Sequence, residues 1–234
     1  EEGLSESVHV PNVPDEEKSD EEMLTPEDAL ELLQWYRDDQ TAGAGRNHAF
    51  LEIAWHTGAR LGGIRGLDVR DFHAEDRYLS FVHRPETNTP LKNGRDGERP
   101  VGITPRVATI LGRFIRRGRP DVHDDHGRQP LLASNRGRPG TNTLRVWSYL
   151  ATQPCLYGPC PHGRDPETCE YRERSHASKC PSSRSPHKIR TGSITWQKNL
   201  GFPPEVVADR VNATLSVIRD YYDKEDALER LEQR

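Results

Sequence analysis

The chain has 234 residues, 32 % hydrophobic and 30 % charged, enough for one large domain or two small ones around a buried core. No apolar run approaches the roughly 18 residues of a membrane span, and no basic, apolar leader stands at its start, so an integral membrane protein is excluded and a cytoplasmic one expected. The net charge of −4 hides a division: residues 1–28 carry eleven acids and one base, while the rest holds 26 acids and 32 bases.

Residues 1–24 read as an acidic linker or tail, and the absence of Met at position 1 marks the chain as a piece of a longer protein. One domain is expected over 25–234. It opens at Thr25-Pro26-Glu27-Asp28, an N-cap, a first-turn proline and an acid at the third helical position. Leu30, Leu32, Leu33 and Tyr36 give that helix an approximate stripe. A second helix is expected over 47–56, with Ala49, Phe50, Ile53 and Ala54 on one face, stopping at Thr57-Gly58. A short helix follows over 61–67. The alternation of Tyr78, Ser80 and Val82 with Leu79, Phe81 and His83 predicts a strand. Residues 85–99 are rich in Pro, Asn and Gly, with a turn signal at Asn93-Gly94, and 100–103 supply a partner strand. Thr104-Pro105 opens a helix with Val107, Ile110, Leu111, Phe114 and Ile115 as its apolar face. A loop covers 118–130, and 142–151 read as helical. Residues 152–186 form an irregular Cys-rich insertion. Helices return over 187–199, 204–211, 214–222 and 224–233. The fold class is mainly α with one small antiparallel sheet (α+β).

Three separated segments carry groups suited to a phosphodiester. Thr57-Gly58-Ala59-Arg60 ends an apolar helix and can aim an arginine at an anion. His187-Lys188-Ile189-Arg190 begins a helix, so His187 and Arg190 share a face near an anion-favouring terminus. Asp220-Tyr221-Tyr222-Asp223 lies near the C-terminus, and Lys92 sits beside the Asn93-Gly94 turn. Leu215, Ile218 and Tyr222, at i, i+3 and i+7, make a packing seam. Each segment alone is ordinary; their order and spacing carry the signal.

The order Arg, turn Lys, His-x-x-Arg and C-terminal Tyr resembles the catalytic domain of the tyrosine recombinase (phage integrase) family, over about 25–234. Thr57 to Leu61, with Gly66-Leu67-Asp68-Val69 and Asp71, resembles the family's first box, and His187 to Gly201 the start of its second. Pro203-Pro204-Glu205-Val206-Val207 and Tyr221-Tyr222-Asp223 resemble archaeal members. The resemblance implies that Arg60 and Arg190 are the catalytic arginines, His187 the catalytic histidine, Lys92 the lysine, Asn212 the third-box residue and Tyr222 the nucleophile, with Tyr221 as the other choice. It also implies a double-stranded DNA substrate, a 3′-phosphotyrosine intermediate, a homotetramer on DNA, no catalytic cofactor, and an N-terminal DNA-clamping domain beyond the tail. Two positions depart from the pattern: Gly63 stands where an acid often buttresses the first arginine, and Asn212 where a His or Trp is usual. Two further functions share these residues. One is a catalytically weakened DNA-binding zinc protein of the same fold; the other is a type IB topoisomerase-like strand relaxer.

All four cysteines, Cys155, Cys160, Cys169 and Cys180, fall in the insertion with His162 and His176 among them. An intracellular DNA enzyme keeps its thiols reduced, and the insertion lacks the apolar residues for a core of its own. A structural Cys₄ zinc site is expected, or Cys₃His with either histidine. Arg113, Arg116, Arg117 and Arg119, with Arg136, Arg138, Arg145 and Arg184, are candidate DNA contacts.

Overall fold

The computed structural model describes residues 23–39 and 42–221. Three of its helices start on a hydroxyl cap followed by proline, two as predicted at Thr25 and Thr104 and the third at Ser185-Pro186, inside the stretch expected to belong to the insertion. The Thr25 hydroxyl accepts from the Asp28 amide in α1 (Pro26–Asp38), Thr104 from Val107 in α4 (Pro105–Arg117), and Ser185 from Lys188 in α6 (Pro186–Asn199). Each such cap contributes about 1 kcal/mol. The remaining helices are α2 (Arg46–Thr57), α3 (Leu61–Gly66), α5 (Thr141–Ala151) and α7 (Pro204–Val211), with a last helical stretch over 215–221.

α2 departs from its predicted one-sided burial. Every residue from His48 to Thr57 is buried, because α1, α4, α5 and α6 surround it. The stripe of α1 is Ala29, Leu32, Leu33 and Tyr36; Leu30 faces out at 47 % exposure, being out of phase with the other four. Leu24 is buried, and its amide bonds the Lys188 carbonyl of α6.

The sheet has three antiparallel strands in chain order: β1 (Phe72–His73), β2 (Tyr78–Phe81) and β3 (Arg99–Gly102). Leu79 pairs with Val101 and Phe81 with Arg99. The two-residue β1 is too short to show a periodicity. β2 stops at Phe81 because the His83 amide turns to the Glu98 carboxylate and the His83 ring accepts from the Leu91 amide. Asn93-Gly94 is therefore not a tight hairpin turn; it lies inside a long loop pinned to the core by Leu91.

The main core runs from α1 to the start of α6. A second cluster joins Ile194 of α6 to Val207, Ala208 and Val211 of α7 and to Ile218, with Leu215 and Tyr221 packed at its edge. The first-box acids are structural. Asp68 takes a two-point bond from Arg128 and a further one from Arg138, while Asp71 takes Arg84. Asp68 fastens the end of α3 to the 118–130 loop through Arg128, and Asp71 holds Arg84 beyond β2. Among the described residues, no helix is long and apolar enough to cross a membrane. The C-terminal helix expected over 224–233 and the acidic segment 1–22 lie outside the described residues.

Candidate active site

Gly58 closes α2 in the left-handed conformation, at φ 57°. A Cβ there would sit 2.7 Å from the Val211 side chain and 3.1 Å from Ser193 Oγ. Glycine thus satisfies the turn and lets α6 and α7 approach the end of α2. Two residues on, Arg60 caps α3 and points its guanidinium at the Asn212 carbonyl. Arg190, one turn into α6 and 8 % exposed, donates to the carbonyls of Gly58 and Val211. The two predicted arginines therefore converge on one junction: the ends of α2 and α7 and the start of α6.

Two arginines that no motif signalled complete the cluster. Arg99 of β3 stacks over the Phe81 ring at 4.6 Å and donates to the carbonyls of Arg210 and Gly97. Arg210 of α7 donates to Gln197 Oε1 and to the carbonyls of His56 and Gly102. Burial, then the charges of Arg60 and Arg99, push the Arg190 pKa down to about 10. Burial, then Arg60 and Arg210, do the same to Arg99. All four stay protonated at neutral pH. Their contacts among the described residues are backbone carbonyls, one amide oxygen and aromatic faces, with no carboxylate. A half-buried group of like charges without counter-ions is built for an anion.

Gly63 explains the first departure from the expected pattern. A Cβ there would meet the Phe81 ring at 3.2 Å, so a larger residue would need that buried ring to shift. For Arg60, the Asn212 carbonyl at the end of α7 takes the buttressing role instead. Asn212 explains the second: it is the left-handed C-cap of α7, at φ 53°, a conformation Asn tolerates. Its side-chain oxygen accepts from Asn93 Nδ2 at 2.9 Å. The loop that carries Lys92 is thus held on one side by buried Leu91 and on the other by Asn93, and Lys92 itself is exposed. His187, in the first turn of α6, is also exposed and makes no hydrogen bond among the described residues.

Tyr221 packs at the edge of the second cluster, within electrostatic reach of Arg190. Lys198 Nζ donates to its carbonyl at 3.3 Å. Tyr222 lies outside the described residues. Of the further basic candidates, Arg119, Arg138 and Arg184 are spent internally. Arg119 bonds the Pro130 and Val122 carbonyls, Arg138 bonds Asp68 and Asp124, and Arg184 bonds the Met23 and Pro181 carbonyls. Arg116, Arg117, Arg136 and Arg145 stand exposed.

No protein-family model and no curated protein matches the sequence. Solved structures do match. The crystal structure of XerA recombinase superposes with a TM-score of 0.58 at 17 % identity, over 85 % of this chain and 57 % of that one. The Tn1549 transposon integrase in complex with a circular intermediate DNA gives 0.59 at 18 %, over 97 % and 68 %. XerH bound to a palindromic difH substrate in a post-cleavage complex gives 0.59 at 15 %, over 90 % and 51 %. The fold is that of a tyrosine recombinase catalytic domain. This chain spans little more than half the length of XerA and XerH. In the recombinase fold the arginine cluster lies where α2, α6, α7 and β3 meet, with the Lys92 loop joined to it through Asn212.

The four cysteines are unpaired and half-buried, and with His162 they line one cavity of about 10 Å³. His176 lies off that cavity; its ring bonds Ser175.

Proposed function

We propose that the chain is the catalytic part of a site-specific DNA recombinase of the integrase type, cutting and rejoining strands through a 3′-phosphotyrosine. The observation that carries this reading is the acid-free cluster of Arg60, Arg99, Arg190 and Arg210 on a recombinase fold. The substrate class follows from the charge, since a phosphodiester supplies the anion that the cluster lacks. The Pro203 to Val207 stretch and the Tyr221-Tyr222-Asp223 ending incline the reading to an archaeal-type integrase working as a homotetramer on duplex DNA.

In the proposed reaction, Arg60 and Arg190 neutralise the scissile phosphate and the charge that develops as phosphorus becomes pentavalent. A tyrosine hydroxyl attacks phosphorus, forming the Tyr–O–P bond as the bond to the 5′ oxygen breaks. Its pKa near 10 makes the free phenol a weak nucleophile. His187 would accept its proton, and Lys92 would protonate the departing 5′ oxygen. Exposure leaves both side chains reachable from the DNA side, and Asn212 would steady the Lys92 loop. The phosphotyrosine conserves the bond energy, so a second 5′ hydroxyl can reverse the step onto a new strand.

Tyr222 is the proposed nucleophile, with Tyr221 the competing choice because of its proximity to Arg190. A trapping assay decides. Wild type, Tyr222→Phe and Tyr221→Phe are incubated with nicked duplexes from the flanks of the protein's own gene, and detergent-resistant adducts are read on a denaturing gel. Loss of the adduct in Tyr222→Phe alone is expected. Loss in Tyr221→Phe alone keeps the reaction and moves the nucleophile. Absence of any adduct from wild type, with DNA binding verified, overturns the enzyme in favour of a DNA-binding protein of the same fold.

A further inference from the structure

Residues 152–185 leave the end of α5 and return at the start of α6. They contain three isolated 3₁₀ turns, Pro154–Leu156, Glu170–Arg172 and Ala177–Lys179, and no longer element. Ala177 is their one fully buried apolar side chain. So long a segment cannot offset its chain entropy with that little burial. It is nonetheless folded against itself and the body: Gln153 Nε2 donates to the Tyr171 carbonyl, and Ser183 Oγ to those of Ala177 and Cys180. A further cross-link is required, and the four cysteines, spread across the segment in sequence, meet at a single cavity.

We propose that Cys155, Cys160, Cys169 and Cys180 bind one structural zinc ion as a tetrathiolate. Each thiol gives its proton to solvent on binding, and the resulting centre carries a net charge of about −2. Arg164 and Arg172 line the same cavity and oppose that charge. Both are already held: Arg164 stacks over Tyr171 at 4.3 Å, and Arg172 donates to the Pro166 carbonyl. Among the described residues, no group of three or more His, Cys, Asp or Glu side chains already forms a ready metal site. Binding must therefore draw the sulfurs inward, to about 2.3 Å from the metal. The turns between them hold no helix or strand that would resist this movement. His162 also lines the cavity, with its Nε2 bonded to Ser182 Oγ at 2.9 Å; the four sulfurs by themselves fill the four tetrahedral positions, and the His162 variant below tests that assignment. Through Arg184, whose amide bonds Thr152 Oγ1, the cross-linked segment abuts the N-terminus of α6.

The test uses the full chain, purified with reductant and without chelator. About one zinc per chain is expected by elemental analysis, and a chelator should remove it and lower Tm by about 5–10 °C. Cobalt(II) added to the stripped chain should give the intense visible bands of a tetrahedral thiolate site, a readout that needs no variant. Cys169→Ser should weaken that binding, while His162→Ala should leave it intact. A folded chain that, as purified, carries no zinc and whose four thiols alkylate at the free-thiol rate would overturn the proposal. So would disulfides under non-reducing conditions, metal lost in His162→Ala but kept in Cys169→Ser, or zinc removal without a change in Tm. None of these readouts involves DNA, so they stand apart from the recombinase reading.

Discussion

Asn212 does two jobs at once. Its backbone, at φ 53°, ends α7 in the left-handed region, and its side chain ties the 85–98 loop to the arginine cluster through Asn93. Gly would relieve the backbone, and Ala would strain it. Asn212→Ala should therefore destabilise the chain by about 1–2 kcal/mol, and Asn212→Gly by less than about 1 kcal/mol. If the Asn93 contact steadies Lys92 for catalysis, adduct formation falls equally in both despite their different stabilities. Thermal melts beside adduct yields separate the two effects, and a yield that tracks Tm alone removes the positioning role. Asn at this position is legible in the sequence as a departure from His or Trp. Its left-handed backbone is not, because it depends on α7 stopping where Val211 meets the end of α2. Arg99 and Arg210 were illegible for a related reason: each is an ordinary basic residue in its own strand or helix, and only the packing of β3 on α7 brings them beside Arg60 and Arg190.

α2 shows how a charged group can sit inside a helix buried on all sides. Glu52, fully inaccessible, receives Arg37 from α1 and His48 and His56 from its own flanks at i−4 and i+4. Burial alone would raise its pKa, but the hydrogen bonds from His48, His56 and Arg37 outweigh it and hold the carboxyl well below the usual range. A folded-state pKa below the unfolded value of about 4.3 makes this contribution complete above that pH. It is lost as pH falls towards the folded value. Glu52→Gln should lower stability at pH 7 by about 3–5 kcal/mol, since it leaves the part-buried Arg37 charge without its carboxylate. Denaturant titrations should also find the variant's stability flatter than wild type between about pH 5 and pH 3; equal slopes would assign acid sensitivity to other carboxylates. Helix starts were among the most legible features, because Thr25 and Thr104 each write a cap into the sequence before a proline; the same signal at Ser185-Pro186 was hidden by the Pro- and Ser-rich run that precedes it. The all-round burial of α2 was less so: His48, Glu52 and His56 read as a polar face until their mutual bonding is seen.

For the molecule as a whole, charge is concentrated rather than abundant. The four clustered arginines, with exposed Arg116, Arg117, Arg136 and Arg145, leave a body whose affinity for duplex DNA should fall steeply with salt. Each phosphate contact removed should reduce the slope of log K against log salt by about 0.9. Arg116→Gln with Arg117→Gln, followed by fluorescence anisotropy across a salt series, tests whether the end of α4 touches the backbone; an unchanged slope places that end away from DNA. The order of the arginine, lysine and histidine motifs made the architecture readable, because it is a property of the whole chain rather than of any one segment. One further consequence comes from the contact between Thr152 and Arg184. A hydroxyl and an amide 2.7 Å apart mark the exit and re-entry of the cysteine segment, and Tyr157 Oη reaches from the segment to Asp28 Oδ1 of α1 at 3.1 Å. Closure entropy grows only with the logarithm of the enclosed length. The two ends are therefore held by the body itself, and with the Tyr157 contact kept, a change in length between Tyr157 and Arg184 adds little closure entropy, while the cysteines between them decide whether the stretch is stably folded.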